Sequence, residues 1–305
     1  QSATVSPLLF GLGVDLSAAT YHLPSDTKCV ALAGAAGGVT LVRIGAARAD
    51  DYDWRTDYYY DPLNPRRRTP ASFGCFAPPT GAVATVLRVL DRVRALGAGG
   101  VVVLNGEIDD PQAAAGLARL VADRYGLAFA RHIYWEIGNA PAQWQHYGVP
   151  LSERRPDEHV RCSPDQYAAL VTSYAAALSA ALGGVDPLIV ADEWIANATD
   201  QSWTGVVTAV DTQYYPFDSP DNSPASAAAV ARSVSPLDGQ LDSLSTNLAQ
   251  YQQGQSLPLF VGQWNIDASS PAFDDLYGSS AQAVFVARLL VHLARPGHHV
   301  TMAAW

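Results

Sequence analysis

One stretch of the sequence decides the fold: His132-Ile133-Tyr134-Trp135-Glu136-Ile137-Gly138-Asn139-Ala140-Pro141. Its first six residues are a short, mostly apolar run with β-branched and aromatic side chains, which predicts a strand. Gly138 and Asn139 end that strand, so we expect the asparagine amide to lie at the strand's carboxyl end. Similar runs recur along the chain, and amphipathic segments rich in Ala, Leu and Val lie between them. This alternation is typical of successive βα units around a parallel sheet.

Eight strands are predicted in total, which indicates a (β/α)8 TIM barrel of the α/β class, formed by residues 1–305 as a single domain. The predicted strands are residues 8–14, 40–44, 100–104, 132–137, 188–191, 210–214, 259–261 and 300–304. The predicted helices are residues 26–36, 81–96, 111–125, 164–182, 202–207, 237–253 and 279–294. Asp110 before Pro111 and Ser163 before Pro164 predict two helix starts, each with an N-cap followed by a first-turn proline.

Three long connections follow predicted strands, at residues 46–80, 140–163 and 216–236. All three are polar and rich in proline, aspartate and aromatic residues. In a TIM barrel the loops after the strands build the active-site face, so we expect a ligand site on that face. The sequence stops at Trp305 directly after the eighth predicted strand, and we therefore expect a barrel truncated before its eighth helix.

The composition excludes several kinds of partner. A net charge of -10, from 29 acidic and 19 basic residues, argues against a nucleic acid or an anionic membrane surface. No run approaches the roughly 18 to 20 apolar residues of a membrane span. No cofactor is predicted. Polar composition and three cysteines, which allow one disulfide among Cys29, Cys75 and Cys162, favour a secreted protein. A cytoplasmic protein with three free thiols is the alternative.

The segment Trp135-Glu136-Ile137-Gly138-Asn139-Ala140-Pro141 resembles the W-E-I-G-N-E-P motif of barrel glycosidases, such as those of glycoside hydrolase families 39, 51 and 79. In those families the Glu after Asn is the general acid/base. Ala140 occupies that position in this chain. The resemblance implies a retaining glycoside hydrolase fold whose acid/base is substituted.

A second stretch, Leu259-Phe260-Val261-Gly262-Gln263-Trp264-Asn265, resembles the end of the seventh strand that delivers the nucleophilic Glu in the same families. Gln263 occupies the position of that Glu. Positions 140 and 263 are 123 residues apart, which matches the three βα units between the fourth and seventh strands. Both motifs therefore fit the same numbering of the strands, with position 140 after the fourth strand and position 263 at the end of the seventh.

The resemblance also implies residues that bind the substrate, an oligosaccharide or polysaccharide. Arg43 matches the second-strand Arg that supports the nucleophile. Gln213 and Ala46 depart from the pattern, because many relatives have His and Gly at these positions. The predicted substrate-binding residues are Arg43, Trp135, Asn139, Trp144, Glu193, Tyr214, Tyr215, Trp264 and Trp305.

The two substitutions remove the chemistry of retaining hydrolysis. One carboxyl group must attack the anomeric carbon, and another, about 5 to 5.5 Å away, must protonate the leaving oxygen. Ala140 has no such group, and Gln263 keeps the shape of Glu without its charge. We therefore expect this chain to bind sugar without cleaving it. A deliberate substitution that traps substrate is the explanation we favour, and a natural carbohydrate-binding pseudoenzyme is the alternative.

Other acidic residues offer competing assignments. Glu136 lies before the end of the motif, and strand parity favours a supporting role for it. Glu193 follows Asp192 and copies the nucleophile motif, but it lies only 53 residues after position 140, so we assign it to a substrate subsite. Residues 107–110 carry three acidic side chains without a histidine at ligand spacing, so no metal site is predicted. A metal-assisted lyase or aldolase on the same barrel stays open.

Overall fold

A computed structural model describes residues 6–9, 11–14, 38–45, 49–61, 64–71, 85–155, 157, 159–216, 229–230, 233–251, 257–264 and 280–304. Eight strands form one parallel sheet in which each barrel strand pairs with the next along the chain. A bridge between Gly11 and Ala304 joins the first strand to the last and closes the sheet. The predicted (β/α)8 barrel is therefore confirmed. The barrel strands are Gly11–Val14, Leu41–Ile44, Gly99–Leu104, Ile133–Ile137, Leu188–Asp192, Val207–Tyr214, Leu259–Trp264 and Val300–Ala303.

Five α-helices of the described residues begin and end within four residues of the predicted positions, and Leu127–Ala130 is a further short helix that was not predicted. Asp110 accepts a hydrogen bond from the Ala113 N–H (2.9 Å), and Ser163 forms a capping box with Gln166, so both predicted N-caps are confirmed. The α-helices are Thr85–Leu96 (α1), Pro111–Tyr125 (α2), Leu127–Ala130 (α3), Pro164–Ala181 (α4), Ser235–Tyr251 (α5) and Ser280–Leu293 (α6).

Two predicted elements need correction. The first strand begins at Gly11 rather than at residue 8, because Pro7–Leu9 form a 3-10 turn. The helix predicted at 202–207 was wrong: Ser202–Gly205 form a single 3-10 turn, and the sixth strand already begins at Val207. Because the strand begins there, the segment forms one 3-10 turn and does not continue as a helix. The helix predicted at 26–36 lies outside the described residues.

The long connection after the second barrel strand contains a small antiparallel sheet that the sequence analysis missed. Its strands are Tyr52–Asp53, Tyr58–Asp61 and Asn64–Pro70, paired in that order. The carboxylate of Asp57 ties this sheet to the start of α1, because it accepts hydrogen bonds from the backbone N–H (2.8 Å) and the hydroxyl (2.9 Å) of Thr85. The insertion is therefore attached to the barrel's helical layer.

Side chains inside the barrel form layers. One layer is apolar and consists of Leu41, Val101, Val190, Ala209, Phe260, Met302 and Ala304, with Leu8 and Tyr134 packed against it. Alternate residues of a strand face the same side, so the next inward positions lie two residues further along each strand. On four strands those positions are charged and buried: Arg43, Glu136, Asp192 and Asp211. A charged layer therefore lies directly beneath the mouth of the barrel.

Candidate functional site

The charged layer is centred on Arg43. Its Nε donates to Glu136 Oε2 (2.7 Å), and its Nη2 donates to Glu136 Oε1 (2.5 Å). Asp211 Oδ2 lies 4.0 Å from the same Nη2 atom. Burial, together with the neighbouring charge of Glu136, raises the pKa of Asp211 well above its usual value. A single guanidinium thus faces two carboxyl groups. Two of its four hydrogen bonds go to Glu136, and the other two go to the Gly45 carbonyl oxygen and to Asn139.

Asp192 extends the charged layer on the fifth barrel strand, where it pairs in register with Asp211. Burial raises the pKa of Asp192 to about 7, although the Trp194 N–H donates to its Oδ1 atom (2.8 Å) and favours the ionised form. The layer beneath the mouth can therefore hold protons near neutral pH.

The side chain of Asn139 lies at the centre of the barrel mouth. Its Oδ1 atom accepts hydrogen bonds from Arg43 Nη2 (2.9 Å), Gln213 Nε2 (3.2 Å) and Gln263 Nε2 (3.4 Å). The Tyr215 hydroxyl donates to Gln263 Oε1 (3.3 Å). Because Ala140 directly follows Asn139, the two positions that the sequence motifs single out share one mouth. Arg43, Asn139 and Tyr215 are the predicted binding residues that the structure brings together there.

A bulge in the seventh barrel strand brings Gln263 to this mouth. The pairing with the sixth strand shifts between Val261 and Gln263, so that Gln263 lies opposite Gln213. The skipped residue is Gly262, whose N–H donates to Asp211 Oδ1 (2.7 Å). A β-carbon on Gly262 would lie 2.3 Å from that oxygen, so only glycine fits. The carboxylate of Asp211 thereby holds the backbone that carries position 263.

The turn at position 140 is constrained in a similar way. Ala140 adopts a left-handed conformation (φ 49°, ψ 61°) just before the 3-10 turn Pro141–Gln143. Asp50 Oδ2 accepts hydrogen bonds from the Asn139 N–H and from Trp144 Nε1, both at 2.8 Å. Sequence reasoning missed Asp50, because no local motif connects it with partners about ninety positions away.

Several predicted binding residues lie outside the mouth. Trp135 and Trp264 are buried in the core between sheet and helices, on the opposite face of their strands from Glu136 and Gln263. Tyr214 is buried in the same layer, and its hydroxyl donates to the Ser233 carbonyl. In these positions the three aromatic side chains support the barrel wall. Trp144 is also buried and supports the turn at position 140.

Glu193 lies on the helix side of the sixth barrel strand. Its Oε2 atom accepts a hydrogen bond from the Thr212 hydroxyl (2.5 Å), and Gln240 of α5 donates to the same hydroxyl (2.9 Å). Thr212 alternates with the inward residues Asp211 and Gln213, so its side chain points away from the mouth. Burial raises the pKa of Glu193. The structure therefore separates Glu193 from the Asn139 cluster.

The acidic residues after the third barrel strand have structural partners. Glu107 accepts hydrogen bonds from the backbone N–H groups of Gln145 (2.8 Å) and His146 (2.7 Å), and it pairs with Arg154 (2.9 Å). Within the described ranges, no three His, Cys, Asp or Glu side chains are grouped to hold a metal ion.

Two of the three cysteines and the last residue lie outside the described part of the chain. Cys162 is a buried free cysteine, whereas Cys29 and Cys75 lie outside the described residues. Trp305 also lies outside them, so its predicted role stays a prediction. None of the helices seen in the described part of the chain is both long and apolar enough to cross a bilayer.

No protein-family model and no curated protein matches this sequence. Solved structures match its fold. A family 44 xyloglucanase from Paenibacillus polymyxa, solved with xyloglucan, is 12% identical over 98% of this chain and 72% of that chain, with a TM-score of 0.65. A family 51 α-L-arabinofuranosidase from Bifidobacterium longum is 17% identical over 99% of this chain and 67% of that chain, with a TM-score of 0.68.

A third similar structure is a 4-O-α-L-rhamnosyl-β-D-glucuronidase from Fusarium oxysporum. It is 12% identical over 100% of this chain and 64% of that chain, with a TM-score of 0.62. At these identities the likeness establishes the barrel fold that the sequence motifs implied. This chain spans between 64% and 72% of the length of the three enzymes, whose names indicate different sugars.

Proposed function

We propose that this chain is a glycosidase-type barrel protein that binds an oligosaccharide or polysaccharide at the mouth lined by Asn139, Gln213, Tyr215 and Gln263. In this proposal Ala140 occupies the acid/base position and Gln263 the nucleophile position of a retaining hydrolase. The chain as given then binds sugar without hydrolysing it, because neither residue carries a carboxyl group.

One observation carries the proposal. Gln263 Nε2 lies 3.4 Å from the side-chain oxygen of Asn139, the residue next to Ala140. The two positions lie 123 residues apart in sequence, and a strand bulge is needed to bring them to the same mouth. Retaining hydrolysis requires two carboxyl groups about 5 to 5.5 Å apart, a separation that glutamates at neighbouring sites of one mouth can reach.

The decisive experiment compares the chain as given with the Ala140→Glu/Gln263→Glu double variant. Both proteins are incubated with a panel of aryl glycosides and oligosaccharides, and sugar release is measured. Hydrolysis by the double variant alone supports a disabled retaining hydrolase and identifies its sugar. If neither protein releases sugar from any substrate in the panel and the parent chain binds none of them, the proposal is contradicted.

The single variants separate the two roles. Gln263→Glu has a nucleophile without an acid/base, so it should react with an activated aryl glycoside and transfer the sugar to added azide with retained configuration. Ala140→Glu has no nucleophile and should not form that product. Equal behaviour of the two single variants would contradict the assignment of positions 140 and 263.

A specific contact favours a second candidate, a carbohydrate-binding protein that never regains activity. The amide of Gln263 donates to Asn139 Oδ1, and its carbonyl oxygen accepts from Tyr215. A glutamate at 263 would place an acceptor against the Asn139 oxygen, which Arg43 holds in place (2.9 Å). A double variant that stays inert, while the parent chain binds sugar, supports this candidate.

A further inference from the structure

Asp50 is a buried aspartate in the 3-10 turn Ala49–Asp51, in the connection that follows the second barrel strand. Its side chain accepts hydrogen bonds from three N–H groups that belong to two other segments. The Gly106 N–H donates to Oδ1 (2.9 Å), and the Asn139 N–H and Trp144 Nε1 both donate to Oδ2 (2.8 Å each). One side chain therefore links the ends of the second, third and fourth barrel strands.

The two donors to Oδ2 lie on either side of position 140. Asn139 precedes it, and Trp144 follows it after the turn Pro141–Gln143. The Trp144 indole also lies 3.1 Å from the Asn139 carbonyl oxygen, so the two residues are linked directly as well. Position 140 is thus in a short loop whose two ends are held by the same carboxylate oxygen.

The backbone at Asp50 is held by two further hydrogen bonds. Its carbonyl oxygen accepts hydrogen bonds from Asn105 Nδ2 (2.6 Å) and Arg154 Nη2 (3.4 Å). The backbone that carries the Asp50 side chain is thus held independently of the loop at position 140. An acceptor anchored outside the loop whose ends it binds is the arrangement expected of a supporting residue.

We propose that Asp50 is a positioning residue of the carbohydrate site, which sets the orientation of the side chain at position 140 by holding Asn139 and Trp144. This inference rests on the proposed function, in which position 140 is the acid/base position. Asp50 acts through the loop and does not itself touch the sugar.

The first test does not depend on hydrolysis. Asp50→Asn keeps the size of the side chain but turns one acceptor into a donor, which cannot satisfy both sets of N–H groups. We expect solvent exchange of the Trp144 indole proton, followed by NMR and assigned with Trp144→Phe, to become at least about tenfold faster. Exchange unchanged from that of the parent chain would overturn the proposal.

Asp51→Asn is the matched control. Asp51 lies in the same turn and pairs with Arg154 at 3.2 Å, whereas the Asn139 N–H and the Trp144 indole donate to Asp50. Because the Trp144 indole donates to Asp50, we expect Asp51→Asn to leave the indole exchange within about threefold of the parent value. An equal acceleration by both substitutions would mean that the turn as a whole loosens, and would overturn a specific role for Asp50.

The second test uses the Ala140→Glu/Gln263→Glu background and two leaving groups. A sugar alcohol needs a proton as it departs, whereas dinitrophenolate does not, so misplacing the acid slows the first step, formation of the glycosyl-enzyme, only for the first substrate. We expect added Asp50→Asn to lower kcat/KM, which reports the first step, about tenfold to hundredfold for an oligosaccharide and less than about threefold for the dinitrophenyl glycoside. Equal losses on both substrates would overturn the proposal.

The two tests distinguish the failure of this inference from the failure of the proposed function. If the double variant cleaves no glycoside and the parent chain binds none, the proposed function fails. The exchange measurement still decides whether Asp50 holds the loop. If the double variant is active and Asp50→Asn changes neither exchange nor leaving-group dependence, only the positioning role fails.

Discussion

Arg43 and Glu136 form a two-pronged ion pair inside the barrel, with both side chains about 1% exposed. The Glu136 carboxylate accepts hydrogen bonds from Nε (2.7 Å) and Nη2 (2.5 Å) of Arg43. Removing one partner of a buried pair leaves a charge without compensation, which is more costly than removing both partners.

We therefore predict that Arg43→Met alone lowers the free energy of unfolding by about 3 to 5 kcal/mol. The Arg43→Met/Glu136→Leu double variant should be more stable than the Arg43→Met single variant, because it removes the stranded carboxylate. Urea unfolding of the four proteins in the cycle measures both values. Additive losses would show that the pair is not coupled.

The barrel strands were predictable because buried strands are short runs of apolar and β-branched residues, which are visible in the sequence itself. The run from Ile133 to Ile137 is a strand as expected, and the caps at Asp110 and Ser163 have their signals within three residues. The antiparallel sheet was missed because two of its strands are only two and four residues long and the third contains two prolines. Such segments form strands through their partners rather than through their own pattern.

Within the candidate site, the sequence motifs indicated the register but not the direction of every side chain. Trp135 belongs to the motif and was assigned to the substrate, yet it alternates with the inward Glu136 and is fully buried on the other face. Strand parity alone would have indicated this. The bulge at Gly262 could not be foreseen, because it depends on the contact with Asp211 on a neighbouring strand.

The Trp144 ring packs against Gly138, where a β-carbon would lie 2.2 Å from Cζ2. Gly138 also has a left-handed φ of +74°. We predict that Gly138→Ala lowers the free energy of unfolding by about 3 kcal/mol or more, from backbone strain and the clash together. Thermal or urea unfolding measures the loss.

Gly148→Ala is the control for strain alone. Gly148 has nearly the same φ (+75°), and among the described residues no atom lies within 4 Å of an added β-carbon. The substitution should cost about 1 kcal/mol. Equal losses at the two positions would show that Trp144 moves aside without penalty.

Tyr167 links the ends of the fourth and fifth barrel strands. Its buried hydroxyl donates to the Ile137 carbonyl and accepts from the Asp192 N–H, both at 2.8 Å. Tyr167→Phe leaves both backbone groups unpaired, so we predict a loss of about 3 kcal/mol. Tyr147→Phe removes only a surface contact of 3.4 Å with Asp109 and should cost less than about 0.5 kcal/mol. Similar costs for the two variants would contradict the bridging role.

Stability should depend on pH through Asp192, whose pKa burial raises to about 7. The folded protein holds this proton more tightly than the unfolded chain, in which an aspartate titrates near pH 3.9. The stabilising contribution is therefore complete below about pH 4 and is lost as the pH rises through about 7. We predict that Asp192→Asn reduces the fall in urea midpoint between about pH 5 and pH 8.

Asp165 provides the control, because its pKa is lowered, chiefly by the Asp200 N–H, and its titration ends below that pH range. Asp165→Asn should leave the change in midpoint between about pH 5 and pH 8 as it is in the parent chain. If Asp192→Asn also leaves that change unaltered, Asp192 is ionised throughout the range, and the layer beneath the mouth carries a full negative charge at neutral pH.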